Sequence, residues 1–301
     1  MENCDNCKEE IKACVARRLG DQYTVAWLDC LKNNGVVEKR LQIRKNGDAT
    51  AALINLDTIV EPNEGRLGIV DDLAEEILQI YQLSLENKEQ VKRTADDMNS
   101  YKTVRDRVIL KLINTERNRE LLKTVPSVPI CDLSIVFCIY LSDRLGKAAT
   151  LIRNEHLELW GVTIEELYRD AKRTTPILLP VKLRAIEEIM AEATGMDVWG
   201  TPNIPEDFRL YYLGNTEDLF GATAILYPGV LKQVAEKWKK DLYILPSSIQ
   251  ETMILPCNEN LNKDELSEMV RTINQCEVSP EEQLSDHVYR YDYQNDKILV
   301  A

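Results

Sequence analysis

Histidine is scarce in this chain: among 301 residues there are two, His156 and His287. Imidazole is the usual general base near neutral pH, so Ser/His or Cys/His catalysis has only these two bases to draw on. Ser247 and Ser248 stand in a Pro-Ser-Ser turn without the Gly-x-Ser-x-Gly setting of a nucleophile elbow, and are read as turn hydrogen bonders. Gly-x-Gly-x-x-Gly and Gly-x-x-x-x-Gly-Lys-Ser/Thr are both absent, so nucleotide binding has no standard phosphate loop to rest on. His-Glu-x-x-His and His-x-Glu with Pro-Cys-x-x-Cys are missing too, which leaves the common metal hydrolase and deaminase readings without support. The sequence implies no cofactor.

Positive charge is also in short supply. Lys and Arg number 37 against 50 Asp and Glu, a formal net charge of -13. Such a field repels phosphate backbones and anionic lipid, so neither nucleic acid nor membrane is expected as a partner. Lys237, Lys239 and Lys240 mark a helix end, where cations suit the macrodipole. No apolar run is long enough to span a bilayer, and MENCDNCKEEIK is polar and acidic, so the expected location is the cytoplasm. Eight cysteines in that setting are expected to be thiols rather than a disulfide framework.

What is present is a soluble composition with dense patterning, and the pattern is that of an α+β chain: antiparallel or mixed sheets built from hairpins and covered by amphipathic helices. Cys4, Cys7, Ile11 and Cys14 fall at spacings of three and four, one stripe of a helix running to about Arg18. Cys4-x-x-Cys7 is half a zinc site by spacing, but no second pair follows; the cysteines are read as small hydrophobes and no metal is expected. Thr24–Leu31, Val36–Arg44 and Thr50–Leu56 make a meander joined at Asn34-Gly35 and Asn46-Gly47. A helix carrying Leu73, Ile77, Ile80 and Tyr81 covers it.

Residues 86–103 turn polar, and the domain boundary is placed beyond them near Thr124, giving a region 1–124 and an α+β domain 125–301, with one continuous domain left open. Val108–Ile113 reads as a strand, Thr115–Leu122 as a short helix, and CDLSIVFCIYLS, Cys131–Ser142, as a central strand buried on both faces. Ala148–Ile152 is its partner. Thr163-x-x-Glu166 with Val162 and Leu167 is a capping box and staple opening a helix that stops before Pro176. Leu183–Ala193 and a segment capped by Asn262 are further helices, and His287–Tyr293 closes the chain as a strand.

The stretch from Phe208 to Pro256 is the most regular. Phe208–Leu213 and Leu219–Leu226 read as a hairpin, Val230–Trp238 as a helix after Tyr227-Pro228-Gly229, and Asp241–Leu245 and Ile249–Leu255 as two more strands, β-β-α-β-β on one sheet. FGATAILYPGVL, YILPSSI and LSDHVYRYD within and after it resemble a domain-of-unknown-function family of Gram-positive gut bacteria, similar in turn to the uncharacterised YtpQ-like proteins. RNEHLELWGVTIEELY (Arg153–Tyr168) and VSPEEQLSDHVYRYD (Val278–Asp292) are the most specific phrases, and the resemblance runs from about Arg107 onward. It implies a cytoplasmic bacterial protein of mixed α and β structure and carries over no catalytic or binding residue. Where the family commonly has His after Ser-Ser-Ile, this chain has Gln250.

One carboxylate stands out. Glu251 shares the face of its strand with Ile249, Met253 and Leu255, so it must be neutralised, paired with an Arg such as Arg209 or Arg153, or open to a cleft. Asn154, His156, Ser247, Ser248 and Glu251 are therefore the candidate ligand-binding residues, as they lie at strand ends and turns. The favoured reading is a binding or interaction protein with an unidentified protein or small-molecule partner. The alternative is a hydrolase-like enzyme with a site near His156, Ser247, Ser248 and Glu251, and whether the chain is an enzyme stays open.

Overall fold

The computed structural model describes residues 2–48, 51–56, 59, 69–86, 96–143, 146–195, 204–246 and 248–301. Contacts divide the chain into two compact units, Met1–Lys32 with Val36–Asp96, and Asn33–Gly35 with Asp97–Ala301. The first is an antiparallel meander of β1 (Tyr23–Leu31), β2 (Val37–Lys45) and β3 (Ala52–Asn55), covered by α1 (Glu2–Leu19) and α2 (Ile69–Glu86). The helical stripe of α1 puts Ile11 and Cys14 in a core with Leu41, Ile43, Ile54, Leu73, Ile77 and Tyr81, and Cys7 packs against it. The side chain of Cys4 lies outside the described residues. Ile80, expected on the covering face of α2, is 36% exposed, because Leu73, Ile77 and Tyr81 already fill the stripe.

The second unit begins with β4 (Val108–Asn114), β5 (Ser127–Ile130), β6 (Leu133–Asp143) and β7 (Gly146–Leu151). β6 is central: β4 pairs along one edge, and β5 and β7 share the other. Alternation then buries both its faces, Ile135, Phe137 and Ile139 in the main core and Val136, Cys138 and Tyr140 behind. β4 lies before the expected boundary at residue 124 yet is hydrogen-bonded to β6 along its whole length, and the contacts divide at Asp96–Asp97. Next come α3 (Asn154–Trp160) and α4 (Ile164–Leu178). The capping box forms: the Thr163 N–H donates to Glu166 Oε2 at 3.0 Å, and the Glu166 N–H to Thr163 Oγ1 at 3.3 Å. α4 runs through Pro176 instead of stopping before it, because its last turn is tied to β4: the Leu110 N–H donates to Thr175 Oγ1 at 3.0 Å, and Thr174 Oγ1 donates to the Val108 carbonyl.

The third sheet has the order β13-β12-β10-β11-β9-β8 and is antiparallel throughout. Its strands are β8 (Val181–Ala185), β9 (Tyr211–Asn215), β10 (Leu242–Leu245), β11 (Thr252–Pro256), β12 (Tyr289–Asp292) and β13 (Lys297–Val300). The helix expected over 183–193 is displaced: pairing to β9 holds 181–185 extended, and α5 (Ile186–Thr194) starts where the Ile186 N–H reaches the Leu210 carbonyl at 3.0 Å. Tyr293 does not end the last strand of the chain, since β13 returns beside β12. α6 (Val230–Trp238) lines the inner side of the sheet through Leu231, Val234 and Ala235, and α7 (Lys263–Cys276) covers the outer side with Leu266 and Val270 on Leu245 and Leu255.

The predicted hairpin partner over 219–226 is not a strand. Gly221–Leu226 is a buried 3-10 helix, entered through Phe220 in the left-handed conformation (φ 52°). Gly221 explains why: a Cβ there would lie 2.1 Å from the Gln250 carbonyl oxygen, so the backbones touch. The Ala222 N–H bonds the Ile249 carbonyl at 3.2 Å, and the Phe220 N–H the Gln250 side chain at 3.0 Å. An apolar octapeptide thus enters the core as a coil wedged between the sheets rather than as a ladder.

Candidate functional site

That wedge delivers Tyr227-Pro228-Gly229 to the wall of a cavity of about 530 Å3. Gly229 (φ 77°) turns the chain into α6, whose first-turn Lys232 lines the cavity. Lys172 of α4 and Lys297 at the start of β13 line the same cavity. Ile130, Ile225, Leu231 and Ile298 make its apolar floor. None of these three lysines has a carboxylate partner among the described residues; Lys172 lies over the Tyr168 ring at 5.3 Å. The single lining carboxylate, Asp296, is occupied by the Tyr291 hydroxyl at 2.6 Å. Tyr227 is anchored by donating to the Leu179 carbonyl at 2.8 Å, and burial pushes its hydroxyl up to about 12. The volume is that of a small-molecule site, and its excess of cations opposes the sign of the whole chain.

Beside this cavity lies a polar node that sequence reasoning missed. β5 and β6 are joined by the two-residue turn Cys131-Asp132, with Cys131 left-handed (φ 51°). Asp132 accepts from Tyr289 Oη at 2.5 Å on one oxygen, and from Ser285 Oγ at 2.9 Å and His287 Nδ1 at 3.0 Å on the other. Burial pushes the Asp132 carboxyl up, but these hydrogen bonds outweigh it and hold the group below the usual range. Ser285, His287 and Tyr289 all belong to the phrase LSDHVYRYD. Its Asp286 pairs with Arg117 at 2.8 Å and accepts from Asn274 at 2.7 Å, and the preceding Leu284 carbonyl accepts from Asn114 at 3.0 Å. The only advance signal was the specificity of that phrase, because the acceptor sits 155 residues away from His287.

The residues singled out from sequence fall into two groups. Asn154 opens α3 and donates to the Lys123 carbonyl at 3.1 Å; His156 accepts the Arg153 N–H on Nδ1 at 3.0 Å and stacks on Trp160 at 5.3 Å. Burial lowers its pKa. Ser248 accepts the Gln250 N–H at 2.9 Å and bridges Gln283. Glu251 is half-buried and its carboxyl is raised, first by burial, then by the charges of Glu282 and Asp218, against a hydrogen bond from Ser248. Ser247 lies outside the described residues. The contacts of Asn154 and His156 and those of Ser248 and Glu251 share no residue. Neither proposed arginine reaches Glu251: Arg209 is held by Glu187 and Glu206, and Arg153 bonds Thr124. Gln250, in the place of the family's common His, links the Phe220 N–H to Glu282, so an amide serves there as a strut.

Fold and site together define an α+β protein with a small cation-lined cleft, and among the described residues no helix is long and apolar enough to cross a membrane. The chain belongs to a family of unknown function, DUF5688, whose model matches residues 4–293. No curated protein and no solved structure matches it.

Proposed function

We infer that the protein binds a small anionic molecule in the cleft between the Tyr227-Pro228-Gly229 turn, α4 and β13. One observation carries this reading: three lysines without carboxylate partners, Lys172, Lys232 and Lys297, gather on one cavity of a chain whose net charge is -13. Cations lining one cavity repel one another, and a bound anion offsets that repulsion. The first-turn N–H groups of α6 add partial positive charge at the same wall. The apolar floor suits a short carbon skeleton rather than a polymer. The favoured class is therefore a binding protein, working in the bacterial cytoplasm on the resemblance to the Gram-positive and YtpQ-like proteins, with its ligand at the lysines rather than at Ser248 and Glu251.

The test is a thermal-shift and calorimetric titration with inorganic phosphate and small phosphate monoesters. Binding that weakens with salt and is lost in Lys232→Ala/Lys297→Ala supports the reading. Equal shifts in the wild type and the double variant would count against it.

A further inference from the structure

The cleft and the Asp132 node adjoin. Tyr289 and Tyr291 point to the same face of β12, two residues and about 7 Å apart; the first bonds Asp132 and the second lines the cleft. Ile130 and Ile298 line it too, and Cys131, between Ile130 and Asp132, donates its S–H to the Ile298 carbonyl at 3.6 Å. The node is thus the next layer along one wall.

Within it the imidazole of His287 is oriented and open. The Asp132 carboxylate only accepts, so Nδ1 carries the proton. In the neutral ring Nε2 then presents a lone pair, and the side chain is 57% exposed. Among the described residues nothing bonds Nε2. Ser285 and Tyr289 hold the carboxylate that in turn holds this ring. His156 offers the contrast, since its ring is consumed as a helix-start acceptor and a stacking partner for Trp160.

We propose that His287 Nε2 is the second recognition point of the cleft, accepting a hydrogen bond from a hydroxyl group of a ligand whose phosphate sits among Lys172, Lys232 and Lys297. The ligand class is a short polyol phosphate ester. In this arrangement the anionic end is assigned to the lysines, the hydroxyl donor to the imidazole and the carbon chain to the stretch past Ile130 and Ile298. This rests on the anion reading above and adds to it a donor that the lysines cannot detect. Asp132 acts as the positioning residue, fixing the tautomer.

The experiment uses the full chain and three probes by calorimetry: inorganic phosphate, propyl phosphate and glycerol 3-phosphate. The glycerol ester is expected to bind about tenfold more tightly than the propyl ester, the worth of one hydrogen bond to a half-exposed group. In His287→Ala that ratio falls to about one while propyl phosphate binding persists. As a readout independent of the variant, the Nε2 nitrogen resonance of His287 in the wild type moves with the glycerol ester and not with the propyl ester. Equal affinity for the two esters in the wild type overturns this inference and leaves the anion reading standing. Binding of no probe, or binding unchanged in Lys232→Ala/Lys297→Ala, overturns both.

Discussion

Gly221→Ala tests whether the 3-10 wedge is held by backbone contact. The added Cβ would meet the Gln250 carbonyl oxygen at 2.1 Å, the Gly214 Cα at 3.1 Å and the Asn215 nitrogen at 3.2 Å. The first falls short of ordinary contact by about 1.3 Å, and all three neighbours are main-chain atoms that no rotamer change can withdraw. Relief requires moving 220–222 away from 249–250, which breaks the Ala222 to Ile249 hydrogen bond and the Phe220 bond to the Gln250 side chain. Overpacking of this kind costs roughly 1–3 kcal/mol and each lost hydrogen bond about 1 kcal/mol, so the total is roughly 3–5 kcal/mol. For a unit of this size that corresponds to a fall in melting temperature of roughly 10 °C. Gly161→Ala is the control: its φ of 64° strains any side chain, but a Cβ there meets nothing within 4 Å, so the cost is about 1 kcal/mol. Melts followed by near-ultraviolet circular dichroism of the buried Tyr211, Tyr289 and Tyr291 compare the two. If Gly221→Ala melts within a degree or two of Gly161→Ala, the close approach does not hold the wedge and the reasoning is refuted.

Glu251 has a raised carboxyl, so its contribution to stability is full below the unfolded pKa and is lost as pH rises through the folded one; Glu251→Gln should raise the melting temperature at pH 7.5, and the gain should vanish near pH 4. A variant no more stable than wild type at pH 7.5 would refute this. Asp132 is the opposite case, its folded pKa being lowered, so its stabilisation is lost as pH falls below the unfolded value. Asp132→Ala leaves the buried Tyr289 hydroxyl and Ser285 unsatisfied at a cost of about 2–4 kcal/mol in chemical denaturation, while Asp132→Asn, which keeps an acceptor, should lose about half as much; equal losses would show that the hydrogen bonds are not the source. Cys138, fully buried with its thiol pushed up to about 11, should resist a thiol reagent in the native protein while the exposed Cys131 and Cys276 react, as mapped by mass spectrometry. Native labelling of Cys138 at the rate of Cys276 would contradict its burial on the rear face of β6.

Local chemistry made much of the fold legible. The Thr163 capping box, the Asn34-Gly35 and Asn46-Gly47 turns and the apolar run of β6, which starts at Leu133 rather than Cys131, are each set by neighbours within a few residues. Residues 219–226 and 183–185 differ from the sequence reading for the opposite reason. The first has a strand's composition, but Gly221 is pressed onto Gln250; the second has helix formers, but β9 supplies a ladder. The cleft draws on residue 130, residue 172, residues 225–232 and residues 291–298, a convergence no local spacing records. Asn154 and His156 looked functional for their position at a strand end, yet their described bonds are those of a helix start. His287 looked like one more strand residue, and only the fold reveals the carboxylate that aims it.

The six-stranded sheet ends in two edge strands, and these offer molecules of this protein a place to pair at high concentration. Both are short: β8 has five residues and β13 four. On β8, Val181 and Leu183 are about 40% exposed, while Lys182 and Arg184, which alternate with them, are drawn to Asp218 and to Glu188 and Glu192. An edge like this is a template for a strand from another molecule, and its brevity and its charges guard it. At an ionic strength of about 0.01 M the repulsion from the net charge of -13 reaches over about 30 Å; in molar salt that reach shrinks to about 3 Å. The hydrophobic core is indifferent to this change, but the colloid is not, so concentrated stocks of the protein keep best in dilute buffer.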